Sequence, residues 1–221
     1  MNNRNQVCNA GLAIAALAVW EKAPILCRDV LESSIARNRL AMESLYAPDG
    51  IYDEGAVYWS YGTTFEIALL DALESILGTD YGLSEVPGFD RTPYFEINMF
   101  SSTGREQDFF NYADTEDSLT LPGCIWYFVR RSGDSGFLWP VREIYEQPSL
   151  LCDKYCDDRL AFITLYEAVH AQINKIAEPD AAPFFGDGPT PLAALRTGWD
   201  KDDLYLAIKG GSASSSHAHM D

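Results

Sequence analysis

The chain has 221 residues, 47% of them hydrophobic, and sets 33 acidic against 16 basic side chains for a net charge of −17. That is enough apolar material to bury a core in one large domain or two small ones, and so negative a field disfavours a general nucleic-acid surface or an anionic membrane. Five cysteines, at 8, 27, 124, 152 and 156, leave at least one unpaired and do not match a disulfide-dense secreted scaffold.

The first segment with a pattern is 6–22, where Ala10, Ala13, Ala15, Ala16 and Ala18 predict a small-residue helix ended by Pro24. One arginine and no acid precede the apolar run 10–20, the outline of a signal peptide. No small-x-small cleavage site closes it, and Glu21-Lys22 leads into another amphipathic segment, so a helix is expected instead. The run is also too short to span a bilayer. A second helix is expected over 24–47, with Leu26, Val30, Leu31, Ile35, Leu40, Met42 and Leu45 in a broad apolar stripe.

The stretch from Asp49 to Gly62 crowds acids, glycines, three tyrosines and a tryptophan between two helical segments. It reads as a binding loop: glycines let the backbone turn, and the aromatics offer flat apolar faces with polar tips that suit a sugar ring. The same aromatics would equally plug a core. Thr63-x-x-Glu66 reads as a capping box that starts a helix, with Phe65, Leu69, Ala72 and Ile76 on one face and Gly78 at its C-terminal end. Further on, Thr92-Pro93 opens a short helix to Phe100, 105–119 is polar loop, Leu121 to Arg131 is a buried helix closed by Gly133, and Cys156 to Ile173 is another. Cys152-x-x-x-Cys156 spans one helical turn, which suits a metal or redox pair as well as ordinary packing.

A Pro/Gly-rich connection at 178–191 is the one clear boundary. Beyond it the period is that of strands, Ala193 to Trp199 and Leu204 to Ile208 about a polar turn at Asp200 to Asp203. The expected fold is therefore mainly α, a helical body over 1–177, a linker at 178–191 and the opening strands of a sheet over 192–221. A lone hairpin is barely stable, so its edges need cover from the helices or from another copy of the chain, a route to a homo-oligomer.

Two clusters carry chemistry. In an extended tail His217, His219 and Asp221 fall on one face, half of a metal or active site; a floppy serine-rich end is the competing reading. Asn2-Asn3-Arg4-Asn5, just before the first helix, gathers polar groups and free N–H groups able to hold a carboxylate, although Asn is also simply a good N-cap. His170 sits in a helical pattern as a surface or packing residue.

Taken in order, Asn2-Asn3-x-Asn5-x-Val-Cys-Asn-Ala-Gly, then Asp49-Gly50 through Tyr58-Trp-Ser-Tyr61-Gly62, then Trp199 and Leu204-Tyr-Leu-Ala-x-Lys-Gly-Gly leading to His217-Ala-His219-x-Asp221, resemble the heparinase II/III-like polysaccharide lyases, a family that includes alginate lyases. The resemblance implies an α/α toroid of helical hairpins followed by an antiparallel β-sandwich, of which this chain would be the second half of the toroid and the first strands of the sandwich. It implies β-elimination on an acidic polysaccharide or oligosaccharide containing a uronic acid, in a periplasmic or secreted protein. Asn3 would neutralise the uronate carboxylate and stabilise the enolate-like intermediate. Tyr61 would be the general acid, and also a base if nearby positive groups lower its pKa, with His217 the second acid/base. Asn2, Arg4, Glu54, Tyr58 and Trp59 would contact sugar. His219 would be one ligand of a structural zinc or other divalent metal whose remaining ligands would lie beyond residue 221. Arg4 departs from the family, which often has His or Trp after the asparagine; a guanidinium there would pair with a carboxylate. A non-catalytic carbohydrate-binding protein, or a glycoside hydrolase on a similar toroid, are the alternatives.

Overall fold

A computed structural model describes residues 1–102, 109–114, 122–142, 161–171, 173–212 and 217. These residues are mainly helical. Six α-helices lie among them: α1 (Asn3–Ala18), α2 (Pro24–Tyr46), α3 (Ala56–Leu77), α4 (Thr92–Met99), α5 (Ile125–Ser132) and α6 (Ala161–Ala171), with a 3-10 segment at Ser135–Val141. A three-stranded antiparallel sheet follows, β1 (Phe184–Gly186), β2 (Leu192–Arg196) and β3 (Tyr205–Lys209), in the order β1-β2-β3.

The alanines of α1 do what their size allows. Ala10, Ala13 and Ala16 are buried and bring α1 against both α2 and α3. On α2, Leu31, Met42 and Leu45 enter the core while Leu26 and Leu40 face solvent, so the buried stripe is narrower than the sequence pattern. The core joins these helices to α4, α5 and the inner face of the sheet, where Phe184, Leu192, Ala194 and Trp199 are buried with Tyr46, Trp59 and Phe128.

Four elements differ from the sequence expectation. The first helix runs Asn3–Ala18 and not 6–22. The third long helix begins at Ala56, not at Thr63, so Thr63 and Glu66 are buried in its interior and are not a capping box. Gly78 does close it in the left-handed conformation. The fifth helix starts at Ile125, after a turn, and ends at Gly133. The hairpin is not alone: β1 forms inside the proline-rich connection and pairs with β2 through Phe185 opposite Ala193. In β2 and β3, Ala193 faces Ile208 and Leu195 faces Leu206. The outward side of β3 leaves Leu204, Leu206 and Ile208 exposed.

The turn at 47–55 is pinned from two sides. Gly50 has φ +91°, and a Cβ there would lie 2.5 Å from the backbone nitrogen of Thr92, so only glycine lets the two segments approach. The Thr92 hydroxyl donates to the Gly50 carbonyl at 2.7 Å. On the other side the Asp187 N–H donates to Asp49 at 2.5 Å, tying the turn to the end of β1.

Candidate functional site

Helix α1 starts at Asn3, so the Asn2–Asn5 cluster forms the N-cap and first turn and does not precede the helix. The Asn2 N–H donates to the Asn5 side chain at 3.1 Å, and Arg4 points outward to solvent. Asn3 is buried; its backbone N–H donates to Glu54 Oε2 at 2.7 Å. A carboxylate at a helix N-terminus is favoured by the free N–H groups and the positive end of the dipole. The pinned turn thus delivers Glu54 to the start of α1.

His217 comes to the same place from the far end of the chain. Its Nδ1 lies 2.5 Å from Asp114 Oδ2, its Nε2 lies 3.6 Å from Glu54 Oε1, and its ring stacks on Tyr58 with centroids 4.0 Å apart. With φ +59° in a turn, His217 is not itself extended, so strand alternation is not what orients it. Tyr58 is half-buried on the first turn of α3. Burial, then the carboxylates of Asp114 and Glu54, push its hydroxyl pKa up, and Arg4 pulls it back in part. Arg4 is therefore near enough to be felt at Tyr58, which places it on this rim.

Two polar atoms are left over at the centre. Asn3 Nδ2 and Glu54 Oε1 are both buried, and neither has a hydrogen-bond partner among the described residues. Buried polar groups without hydrogen bonds cost free energy, and a polar ligand is one way to satisfy them. Tyr61 lies one turn along α3 from Tyr58, half-buried, its ring edge-on to Phe65 at 5.5 Å.

Trp59 does not belong to this site. It is fully buried, its indole N–H donates to Thr92 at 2.7 Å, and its ring stacks near Phe128. The expected sugar contact is corrected: successive residues on a helix point about 100° apart, so Tyr58 at the surface puts Trp59 in the core. His170 is exposed, its Nδ1 2.6 Å from the Tyr166 carbonyl, as a surface residue would be. His219, Asp221, Cys152 and Cys156 lie outside the described residues. Among the described residues no three His, Cys, Asp or Glu side chains are grouped to hold a metal ion. The donor set for zinc is therefore not found among them.

Sequence reasoning missed Asp114, which falls in a polar loop with no periodicity to distinguish it. It also missed a polar network beneath the site. Gln6 Nε2 donates to Tyr46 Oη at 2.8 Å and to Glu66 Oε2 at 3.3 Å, and Gln6 Oε1 accepts from Tyr52 at 2.7 Å. Asn38 Nδ2 lies 2.7 Å from both Glu66 oxygens. With no cation beside it, burial pushes the Glu66 carboxyl up to about 7, the two amide donors offsetting part of that. A glutamate among Ile67, Leu69 and Leu70 on an apolar helix was the available clue.

No known protein-family profile and no curated protein matches the chain. Among the described residues no helix is long and apolar enough to cross a membrane.

Proposed function

We propose that the chain is the catalytic-side portion of a polysaccharide lyase, of the heparinase II/III-like kind, that cleaves a uronic-acid-containing glycan by β-elimination. The observation that carries this reading is that Asn3, Glu54, Tyr58 and His217, separated by up to 214 positions, meet in one polar cluster. The three long helices with α1 packed on both neighbours, followed by an antiparallel sheet, are compatible with part of an α/α toroid leading into a β-sandwich.

In this reading the unpartnered Asn3 amide binds the uronate carboxylate and spreads the charge that develops when the C5 proton leaves. His217 takes that proton on Nε2. Asp114 on Nδ1 and Glu54 beside Nε2 then stabilise the imidazolium that forms, as a carboxylate does for a histidine base. Tyr58 donates to the departing glycosidic oxygen at C4; a phenol whose pKa is raised keeps its proton, which suits an acid and not a base. This reading gives Tyr58 the donor role expected of Tyr61, because Tyr58 stacks on His217. Arg4 is the cation on this rim, against Glu54 and Asp114, and with a net charge of −17 this favours a uronate polymer carrying few or no sulfates.

Side-by-side Tyr58→Phe and Tyr61→Phe variants test the assignment. Elimination creates a 4,5-unsaturated uronide that absorbs in the ultraviolet. Loss of that absorbance in Tyr58→Phe with retention in Tyr61→Phe is expected; the opposite pattern returns the acid role to Tyr61.

A further inference from the structure

The buried network beneath the cluster has no place in the chemistry above, yet it lies one helical turn from it. Asn3 and Gln6 are three residues apart on α1 and therefore share a face. Every polar atom of the Gln6 side chain is engaged: Nε2 with Tyr46 and Glu66, Oε1 with Tyr52. Its partners come from three other parts of the chain, the end of α2, the middle of α3 and the turn that carries Glu54. Tyr46 is linked on to Thr63 of α3 at 2.9 Å. The rest of the buried face of α1 is Asn9, Ala10, Ala13 and Ala16, with Ile14 and Leu17 half-buried beside it; the alanines set how close the helices come, and Gln6 supplies directional contacts across them.

Gly62 shows how tightly the contact is drawn. A Cβ at that position would lie 2.5 Å from both Gln6 Oε1 and Tyr52 Oη, and 3.4 Å from Asn3 Cβ. Glycine in the middle of a helix costs roughly 1 kcal/mol relative to alanine, and here it lets α1 and the Tyr52 hydroxyl reach the backbone of α3 directly below Asn3.

We propose that Gln6 is a positioning residue: braced by Tyr52 on one side and Glu66 on the other, it sets the register of α1 so that Asn3 meets Glu54, and Glu54 meets His217. This rests on the reading of that cluster as the catalytic site. It adds that the amide of Gln6, which touches no substrate, governs turnover through geometry, because Asn3 shares its face of α1.

The test uses the whole chain with Gln6→Met, which keeps the volume and removes all three hydrogen bonds, and Tyr52→Phe, which removes one. Folding is checked by circular dichroism and urea unfolding. Two readouts follow: kcat and KM for ultraviolet-detected elimination, and the ring resonances of His217 by NMR at one fixed pH, a tractable assignment in a chain with three histidines. Gln6→Met is expected to lower kcat by about tenfold with a smaller change in KM, and to shift the His217 ring resonances as Glu54 withdraws from the imidazole. Tyr52→Phe is expected to do the same by a smaller amount, and it decides the matter if Gln6→Met does not fold. Parental kcat and unmoved His217 ring resonances in folded variants would overturn the proposal and leave the network a packing feature. If the parent protein carries out no elimination, the proposed function fails, and the His217 ring resonances alone then decide on the positioning: a change upholds it, no change overturns it.

Discussion

Replacing Asp114 with Asn tests the histidine arrangement with the least disturbance of shape. The carboxylate oxygen lies 2.5 Å from His217 Nδ1, and the Asp114 side chain is 38% exposed. A hydrogen bond to a charged group contributes about 1.5–3 kcal/mol, and at this exposure solvent screening reduces it to roughly 1–2 kcal/mol. At 1.36 kcal/mol per factor of ten, the loss in kcat is about 5- to 30-fold. A second effect acts in the same direction. An asparagine can turn its NH2 toward Nδ1, which moves the ring proton to Nε2 and removes the lone pair that would take the C5 proton. The assay is the initial rate of ultraviolet absorbance on a uronate polymer, paired with nitrogen NMR of the His217 ring to read the tautomer. A variant within twofold of the parent rate, with Nδ1 still protonated, would refute the argument that Asp114 holds the base.

Trp59→Ala is expected to destabilise the fold by about 3–5 kcal/mol in urea unfolding, as for a large core aromatic; an unaltered midpoint together with lost sugar binding would return Trp59 to the site. Stability is expected to fall as pH rises. The buried carboxyl of Glu66 and that of Asp71, which burial and the neighbouring Glu167 raise, both reach about 7 in the folded chain, well above their ordinary values. Between about pH 4.5 and 7 the folded state then binds more protons than the unfolded chain, so unfolding free energy declines through that window and levels off above it, by roughly 3 kcal/mol for Glu66. Urea midpoints at pH 5.5 and pH 8 read this, and a higher midpoint at pH 8 would contradict it. Gly50→Ala combines a left-handed φ with backbone contact at 2.5 Å and is expected to abolish folding at ordinary temperature, checked by circular dichroism against Gly11→Ala, where nothing lies within 4 Å of the added methyl.

The elements most legible in the sequence were those whose pattern is local. Helix α2 runs from Pro24 to Tyr46 within a residue of the expected limits, because proline fixes the start and the apolar stripe continues to the turn. Gly78 and Gly133 mark helix ends, since a left-handed C-cap is a property of one residue. What was not legible depends on distant partners. Thr63 and Glu66 have the spacing of a capping box, but Tyr46, Gln6 and Asn38 satisfy them inside the helix, and tertiary hydrogen bonds outweigh that local preference. Strand β1 was hidden by its neighbours Pro183 and Pro189, and three residues are too few to show alternation.

The candidate site divides along the same line. Asn3, Glu54, Tyr58 and His217 could each be named from motif and residue type, and the fold brings those four together. Their roles depend on contacts: the resemblance gives the acid role to Tyr61 and a sugar contact to Tyr58, whereas it is Tyr58 that stacks on His217, and Trp59 beside them has the composition of a sugar platform but the environment of a core residue. Asp114 lies 103 positions before the histidine it touches, in a segment with no pattern at all.

The central claim is that this cluster catalyses elimination on a uronate. The measurement that tests it most directly is ultraviolet absorbance over time when the protein is incubated with alginate, hyaluronan, chondroitin and heparan, with reducing ends measured in parallel. The account predicts rising absorbance matched by new reducing ends on a polymer with few or no sulfates, and loss of both in His217→Ala. New reducing ends without absorbance would make the protein a hydrolase, and binding with neither would make it a carbohydrate-binding protein; each result would contradict the claim.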